Sequence, residues 1–482
     1  MINVLKKHIL LLITLCAIIC VAGKPVYVDI SYFPDDNISA HIDNDFGQQH
    51  TSEDKQLVTP EETPKPLNTP VPLETPSPLE TPKPQEPEIL SRISNPYENV
   101  DWDTFGQYRA ANHIHTSFTD GNATLKDAII DLYNKGYDIV SIADHMTTTS
   151  AWDTAPDRGY SEGRRTALLT SEELSDITNG TYDASGFSGA FTGRREQPNG
   201  MIGTGSTNEI HAGKGYQSGV FTDHHINSYF ADVPAKVGNG KTMAEVIEYV
   251  QSAGGITHIN HPGRYTGMNK NAAAAKNNPK IVERYVQLFM DFPSLVGMEI
   301  ISKWDYDSVN DRIFWDYILM QTMPHGRFVW CFSNDDSHSL YANGHAWNVM
   351  LMPALSESDV RMSMENGTFY SVSRVDRHHG VNSKMPNGRT TPEMPTSRAH
   401  NLFALQLLSE KTPVITSIVV NGNTISISGN YFDKIIWIAD GETVHTGDSI
   451  DIDSIIDINS YIRAELIGPH GVAYTQPFGI SD

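Results

Sequence analysis

Residues 108–115, YRAANHIH, form an apolar stretch that ends in two histidines separated by one residue. In an extended strand, side chains alternate between the two faces, so His113 and His115 share one face and Ile114 lies on the other. Two imidazoles on one face are pre-arranged to bind a single metal ion. The motif alone leaves open whether they are ligands or two exposed histidines.

Carboxylates and imidazoles recur where other apolar runs end. They are found in a Thr-Asp-Gly turn at Asp120, in Asp144-His145, in His261-Pro262-Gly263 and in Asp336-Ser337-His338. Polar groups at the ends of buried strands are costly unless something coordinates them. Their repetition therefore favours a metal centre over simple solvent exposure.

From about Pro96, apolar strands alternate with capped amphipathic helices, a pattern typical of βα units around a parallel sheet or barrel. The predicted strands are residues 108–115, 137–144, 201–210, 255–261, 296–302 and 328–334. Thr124 with Asp127, and Thr242 with Glu245, predict capping boxes at the starts of two helices. The polar groups follow the strands, which is where barrel enzymes carry their chemistry.

The N-terminal part of the chain is predicted to be an export signal followed by a linker. Residues 1–23 place two lysines before an apolar run that is short for a membrane anchor, which needs ~20 apolar residues. Residues 24–95 are rich in Pro and Thr and repeat TPVPLE as TPSPLE, a composition that favours polyproline II. We expect an extracellular, periplasmic or cell-surface protein. The linker is either a stalk that associates the protein with a cell surface or a passive connection.

The remaining features concern the C-terminal region and the overall charge. Short strands separated by Asn-Gly and Asp-Gly turns predict a small all-β, sandwich-like domain at 410–482, after an α/β domain at 96–400. The 35 basic and 58 acidic residues give a formal charge of −23, and no nucleic-acid-binding surface is evident. Two of the 3 cysteines lie in the signal, so the mature chain cannot form an internal disulfide. The sequence does not define an oligomeric state.

In this order, the HxH, Thr-Asp-Gly, Ala-Asp-His, Asn-Glu, His-Pro-Gly and Asp-Ser-His motifs resemble the PHP (polymerase and histidinol phosphatase) superfamily over roughly residues 112–372. The resemblance implies an α/β fold whose core is a distorted (β/α)7 barrel. It also implies two or three divalent metal ions at the strand ends and hydrolysis of phosphate esters. The trailing β region resembles the exported bacterial branch of that superfamily.

The family pattern, carried over residue by residue, implies three ion positions. The first would use His113, His115, Glu209 and Asp336. The second would share Glu209 as a bridge and add His225 and His261. The third would use Asp120, His145 and His338, with histidine in place of Asp120 in some members. His225 is preferred to its neighbour His224 because His225-Ile226-Asn227 fits the family pattern better.

The implied reaction is attack of a metal-bound hydroxide on a small phosphorylated substrate, either a monoester or a diester. The ligand set suits zinc, manganese or iron better than calcium. We predict catalytic roles for the bridging Glu209 and for Asp144, which is either a proton carrier or an orienting group. Arg264, just after His261-Pro-Gly, is predicted to bind the phosphoryl group.

Two other functions stay open. An amidohydrolase-type enzyme also begins with HxH and cleaves esters, amides or carbamates, but Asp336-Ser-His338, Asp144-His145 and the lack of a clear bridging lysine argue against it. A surface-binding barrel that has lost catalysis is the second alternative, and the complete ligand set argues against that one.

Several other side chains are assigned less specific roles. Glu299 is predicted to orient a metal ligand, and His258 to be a core histidine. Solvated histidines are predicted at His211, His345, His378 and His379, and core or pocket-wall tryptophans at Trp304, Trp315 and Trp347.

Overall fold

The computed structural model describes residues 92–157, 167–185, 187, 200–213, 216–217, 220–221, 224–302, 308, 310–374, 411–455 and 458–481, and two short strands near the N-terminus. The chain divides into two compact units, Met1–Lys83 and Pro84–Asp482. In the first unit, strand Cys20–Val21 pairs antiparallel with Lys24–Pro25. The predicted signal and linker lie almost entirely outside the described residues, as do Trp304, His378 and His379. All the predicted metal ligands belong to the second unit.

Strands and helices alternate through most of the first part of this second unit, as the sequence pattern predicts, but β3 and β4 follow each other with no helix in the described residues between them. In chain order they are β1 (Gly106–Ile114), α1 (Leu125–Asn134), β2 (Ile139–Ile142), α2 (Ser171–Thr178), β3 (Asn208–Ala212), β4 (His224–Tyr229), α3 (Met243–Ser252), β5 (Ile256–Ile259), α4 (Pro279–Asp291), β6 (Leu295–Ser302), α5 (Asp311–Thr322) and β7 (Trp330–Asn334). One-turn helices at Gly263–Thr266 and Ala274–Asn277 follow β5, and a short strand, Ile202–Gly203, precedes β3.

The seven strands belong to two sheets that meet at their edges. One sheet has the order β7-β6-β5-β4-β3, and in the other β1 pairs parallel with β2. Parallel bridges join His145 to Glu209 and Ile114 to Ser337, so the residues that follow β2 and β7 contact the neighbouring sheet. β4 runs antiparallel to both β3 and β5, whereas β5, β6 and β7 are parallel to one another.

Local capping explains where the helices begin. Thr242 and Glu245 form the predicted capping box of α3, and the Thr124 side chain accepts a hydrogen bond from the Asp127 amide at the start of α1. Thr170 and Glu173 form a second capping box at α2, a helix that the sequence pattern did not predict. Each box satisfies backbone amides that the first helical turn leaves without intrahelical partners.

The C-terminal β region predicted from the sequence is confirmed, and its strands continue the sheet that contains β1. β1 pairs with β8 (Ala346–Met352), and β8 pairs on its other side with β9 (Phe369–Ser373). The helix α6 (Glu357–Asn366) connects β8 to β9. The later strands are β10 (Val414–Asn421), β11 (Thr424–Asn430), β12 (Lys434–Ala439), β13 (Glu442–Thr446), β14 (Ser449–Asp451), β15 (Tyr461–Gly468), β16 (Gly471–Tyr474) and β17 (Phe478–Ile480). The order β9-β16-β15-β12-β13 extends the sheet, while β10, β11 and β14 form a separate one. The division of the chain at 400–410 stays a prediction.

Apolar side chains of strands and helices form the core that holds the strand ends in place. Trp315 on α5 is fully buried, as predicted, and Trp347 on β8 lies under the guanidinium of Arg109, 3.9 Å from its ring centre. Among the described helices, we find none with the length and apolar character that a membrane crossing requires.

Candidate metal centre

The centre begins at the end of β1. His113 and His115 are buried and their Nε2 atoms lie 3.0 Å apart, as expected for residues on one face of a strand. The Nδ1 atom of His113 lies 2.7 Å from Glu299 Oε1 on β6. This contact fixes the His113 ring and leaves its Nε2 atom facing the centre.

Glu209, on β3, lies in the middle of the histidines. Its Oε1 atom is 2.9 Å from His225 Nδ1 and 3.3 Å from His113 Nε2, and its Oε2 atom contacts His145 Nδ1. Asn260 donates a hydrogen bond to Oε1 at 2.8 Å. Burial alone would raise the pKa of Glu209, but the nearby histidines outweigh it and hold the pKa well below its usual value. The carboxylate is therefore ionised.

Asp336, after β7, approaches the same histidines from the opposite sheet edge. Its Oδ1 atom is 3.1 Å from His115 Nε2 and 3.5 Å from His113 Nε2, and its Oδ2 atom is 3.9 Å from His261 Nε2. Both Asp336 and His261 have positive φ angles, 44° and 25°. Non-glycine residues rarely adopt this backbone conformation, and such strain concentrates at functional sites.

A second group opens toward solvent. The Asp120 Oδ2 atom lies 3.2 Å from His145 Nε2 and 3.1 Å from His338 Nε2. The Asp120 side chain is 40% exposed, whereas His115, which contributes from the buried side, has a fully buried side chain. This arrangement brings together the three residues predicted for an outer ion position.

Glu299 contacts two of the predicted ligands, His113 and His261. It accepts a hydrogen bond from the His261 amide at 2.9 Å as well as contacting His113. Asn334 donates to its Oε1 atom at 2.8 Å. His258 stacks on Phe332 with ring centres 4.5 Å apart and is fully buried, which agrees with the core role predicted for it.

The Asp144 side chain forms its hydrogen bonds within the loop after β1. Its oxygens accept hydrogen bonds from the Thr116 amide, the Thr116 hydroxyl and the Thr119 hydroxyl. Burial raises the pKa of Asp144 to about 6. Of the two roles predicted for this residue, its hydrogen bonds favour orientation of the 115–120 loop over proton transfer.

Arg264 lies in the one-turn helix after His261-Pro262. Burial lowers the pKa of His225, Glu209 opposes this effect, and the charge of Arg264 adds to it, so the guanidinium acts electrostatically on the centre. The neighbouring Tyr265 places its ring 5.6 Å from the His225 ring and 5.8 Å from the His261 ring. Tyr265 had not been singled out from the sequence.

Two histidines that were predicted to be solvated, His345 and His211, lie inside the protein instead. His345 is buried at the start of β8, where its amide donates to Asp335 Oδ1 at 2.9 Å. His211 lies within the centre, with its Nε2 atom 2.8 Å from His145 Nδ1. The sequence contained a signal for His211, because residue i+2 on a strand shares the face of residue i, here Glu209.

The charge states of the centre suit a cation. Burial lowers the pKa of both His115 and His261 to about 3, so these rings are neutral and keep a lone pair for a metal. Burial opposes protonation of His113, but Glu299, Asp336 and Glu209 outweigh it and raise the pKa of His113 well above its usual value. So many buried carboxylates require positive charge nearby, which divalent ions supply.

The donor atoms converge closely enough to bind metal ions. In each of three groups, one ligand atom per residue lies within 4.8 Å of the others. The groups are His115, Asp120, His145 and His338; His145, Glu209, His211 and His225; and His113, His115 and Glu209. The buried Nδ1 atoms of His115 and His261 make no hydrogen bond to the described residues. These side chains therefore fit histidine-and-carboxylate coordination of transition metals.

Comparison with known proteins adds a likeness of structure. No family model and no curated protein matches the sequence. Similar solved structures include a two-domain protein from Bacteroides vulgatus containing a predicted PHP-like metal-dependent phosphoesterase, at 15% identity and a TM-score of 0.35 over 80% of this chain and 88% of that chain.

Two further structures are similar over about half of the chain. An amidohydrolase from Chromobacterium violaceum, with bound sulfate and no metal, has 12% identity and a TM-score of 0.26 over 48% of this chain and 87% of that chain. A lesion-specific endonuclease from Pyrococcus furiosus has 10% identity and a TM-score of 0.27 over 54% of this chain and 56% of that chain. No activity follows from likeness at this level.

Proposed function

We propose that this protein is a metal-dependent phosphoesterase of the PHP type that acts on a small phosphorylated molecule. One observation carries the proposal: the buried Glu209 carboxylate lies between histidines on both sides, within 3.3 Å of His113 and 2.9 Å of His225. Asp336 and Asp120 add carboxylates toward the solvent side. A carboxylate in this position can bridge two adjacent cations, the arrangement that phosphate-ester hydrolysis uses.

The chain would hold two or three ions, of zinc, manganese or iron. His113, His115 and Asp336 would bind one of them, and His225 with His261 a second, with Glu209 shared between the two. Asp120, His145 and His338 would bind the outer ion. When bound, such ions lower the pKa of a water molecule and polarise a phosphoryl oxygen.

The protein's own residues orient this chemistry. Glu299 and Asn260 fix ligand side chains by hydrogen bonds, and Asp144 fixes the loop that carries Asp120. Arg264, on the side of the centre near His225, would pair with phosphoryl oxygens, which a planar guanidinium can contact in pairs. We also propose that the seven strands β1–β7 form the distorted barrel, that the C-terminal strands form a sandwich-like domain, and that residues 1–23 direct export.

The contacts described in the centre do not favour the amidohydrolase alternative. The described strand ends carry no lysine at the position between the histidines, where Glu209 lies instead. In a binding barrel without catalysis, the converging histidines and carboxylates would have no role. Burying such polar groups is costly unless they coordinate an ion, which argues against this alternative.

A substrate panel with metal control tests the proposal. The full chain, stripped by chelation and reloaded with zinc, manganese or iron, is assayed on chromogenic phosphomonoesters, phosphodiesters, carboxylic esters and amides. We expect phosphate-ester hydrolysis only after reloading, and its near-complete loss in Glu209→Gln, with exposed His445→Ala as the matched control. Turnover of amides or carboxylic esters alone would favour the amidohydrolase alternative, and full turnover without metal would overturn the mechanism.

A further inference from the structure

His211 is a half-buried histidine of the centre that the PHP pattern does not include. It follows Glu209 by two residues on β3, so the two side chains share one face of the strand. In the antiparallel pair of β3 and β4, His211 lies directly opposite His225, while Glu209 lies opposite Asn227. The strand register therefore places His211 between two proposed metal ligands.

The positions of the rings agree with this placement at the level of atoms. The His211 and His225 rings stack with centres 3.9 Å apart and an angle of 7° between their planes. The His211 Nε2 atom lies 4.0 Å from Glu209 Oε2, and only 17% of its side chain is exposed. One donor atom from each of His145, Glu209, His211 and His225 falls within 4.8 Å of the others.

We propose that His211 is a metal ligand, which binds the ion held by Glu209 and His225. The inference rests on the metal centre of the proposed function and deepens it by one residue. Two stacked imidazoles beside one ionised carboxylate form a nitrogen-rich donor set that suits zinc, iron or cobalt. With His211, this ion would have one nitrogen donor more than the His225 and His261 of the family pattern.

The competing role is that of a positioning residue. His145 approaches Asp120 through Nε2, and its Nδ1 atom faces both Glu209 and His211. Metal-binding histidines commonly hydrogen-bond through their second nitrogen, so His211 could simply orient His145. Glutamine separates the two roles, because its amide can still hydrogen-bond His145 but is a poor ligand for transition metals.

The experiment compares metal binding by the full chain in wild type, His211→Ala and His211→Gln, with His445→Ala as the control at an exposed histidine. Zinc stoichiometry is measured by calorimetry and elemental analysis, and the cobalt-loaded proteins are compared by visible absorption. We expect both His211 variants to lose about one ion per chain, or to bind it at least about tenfold more weakly, and to change the cobalt spectrum.

Each other outcome is decisive. Loss of metal in His211→Ala but not in His211→Gln would assign His211 to orientation of His145 and overturn its role as a ligand. Unchanged stoichiometry and cobalt spectra in both variants would overturn any role at the metal. None of these readouts depends on turnover, so a wild-type chain that binds no transition metal would instead refute the proposed function.

Discussion

Glu299 is a single buried carboxylate that fixes two of the proposed ligands, through His113 Nδ1 and the His261 amide. The nearby histidines, acting against burial, hold the pKa of Glu299 below its usual value, so it accepts both contacts as an anion. We expect Glu299→Gln to lower metal affinity about 10–100-fold, because an amide accepts less strongly from the His113 ring. Competition with a chromogenic chelator measures the effect, and exposed Glu442→Gln is the matched control. Equal affinities would show that Glu299 is not needed for coordination.

Arg264 is the cation that we expect to contact the substrate. Arg264→Ala should weaken inhibition by inorganic phosphate by about 10–100-fold, since hydrogen bonds to charged groups contribute about 1.5–3 kcal/mol. Metal content should stay at the wild-type level. Arg264→Lys keeps the charge without the planar pair of donors and should lie between the two. Inhibition constants that do not change in either variant would show that Arg264 does not contact the phosphoryl group.

At the scale of single residues, the sequence pointed to most of the side chains that the structure brings together, and their roles as ligands stay predictions. Residues that end strands, such as His115 and Asp336, could be found because a polar group after an apolar run is costly unless it has a role. His211 was misjudged although its i+2 spacing places it on the strand face of Glu209, because that spacing does not show which ring His211 will stack on. That information lies in the register of β3 against β4, which no local sequence pattern specifies.

The turn at Gly121 places Asp120 beside His145 and His338, the other two proposed ligands of the outer ion. A methyl group at this position would lie 2.7 Å from the His115 carbonyl oxygen, so only glycine permits the chain to fold back here. We expect Gly121→Ala to displace Asp120 and to remove about one bound ion per chain, with the buried ions retained. Gly203→Ala, whose methyl would meet only ordinary contacts at 3.5 Å, is the control. Equal metal content in the two variants would contradict this account of the turn.

Elements were predicted well where one strong signal covers the whole segment. β7 and α3 follow the predicted pattern because apolar runs and a capping box mark them locally. The strand predicted at 201–210 instead breaks around Gly205, which has a φ of 64°. β4, HHINSY, was not predicted as a strand, because its polar side chains hide the alternation that identifies half-buried strands.

The whole unit depends on contacts between segments far apart in the chain. Gln476 bonds both the amide and the carbonyl of Cys331 on β7, at 2.8 and 3.2 Å, and Tyr97 donates to the Phe369 carbonyl. The C-terminal segment therefore satisfies backbone groups of the strand that leads to Asp336. No local pattern predicts such pairings, because the partners are separated by 145 residues in the case of Gln476.

Asp316 on α5 and Arg463 on β15 form a buried ion pair between segments far apart in the chain. The guanidinium pairs with both carboxylate oxygens, at 2.7 and 2.8 Å, and Tyr461 donates to the same carboxylate at 2.6 Å. Both charges are almost fully buried, and Arg463 makes one further ion pair, to Glu465 at 2.8 Å, so Asp316 supplies most of its charge compensation. This pair should therefore join the C-terminal strands to the helix that packs beside β6.

Asp316→Ala should lower the free energy of unfolding by about 3–5 kcal/mol, because it leaves Arg463 buried without its main counter-charge. Glu365→Ala breaks the pair with Arg361, which is 2.9 Å long but has side chains 38% and 41% exposed, and should cost no more than about 1 kcal/mol. Urea denaturation of the three proteins, followed by fluorescence, compares the two losses. Replacing both partners, as Asp316→Leu with Arg463→Met, should recover part of the stability, since Glu465, which also pairs with Arg463 at 2.8 Å, keeps Arg312 at 3.2 Å as a counter-charge. Midpoints that fall equally in Asp316→Ala and Glu365→Ala would show that the buried pair does not hold the C-terminal strands in place.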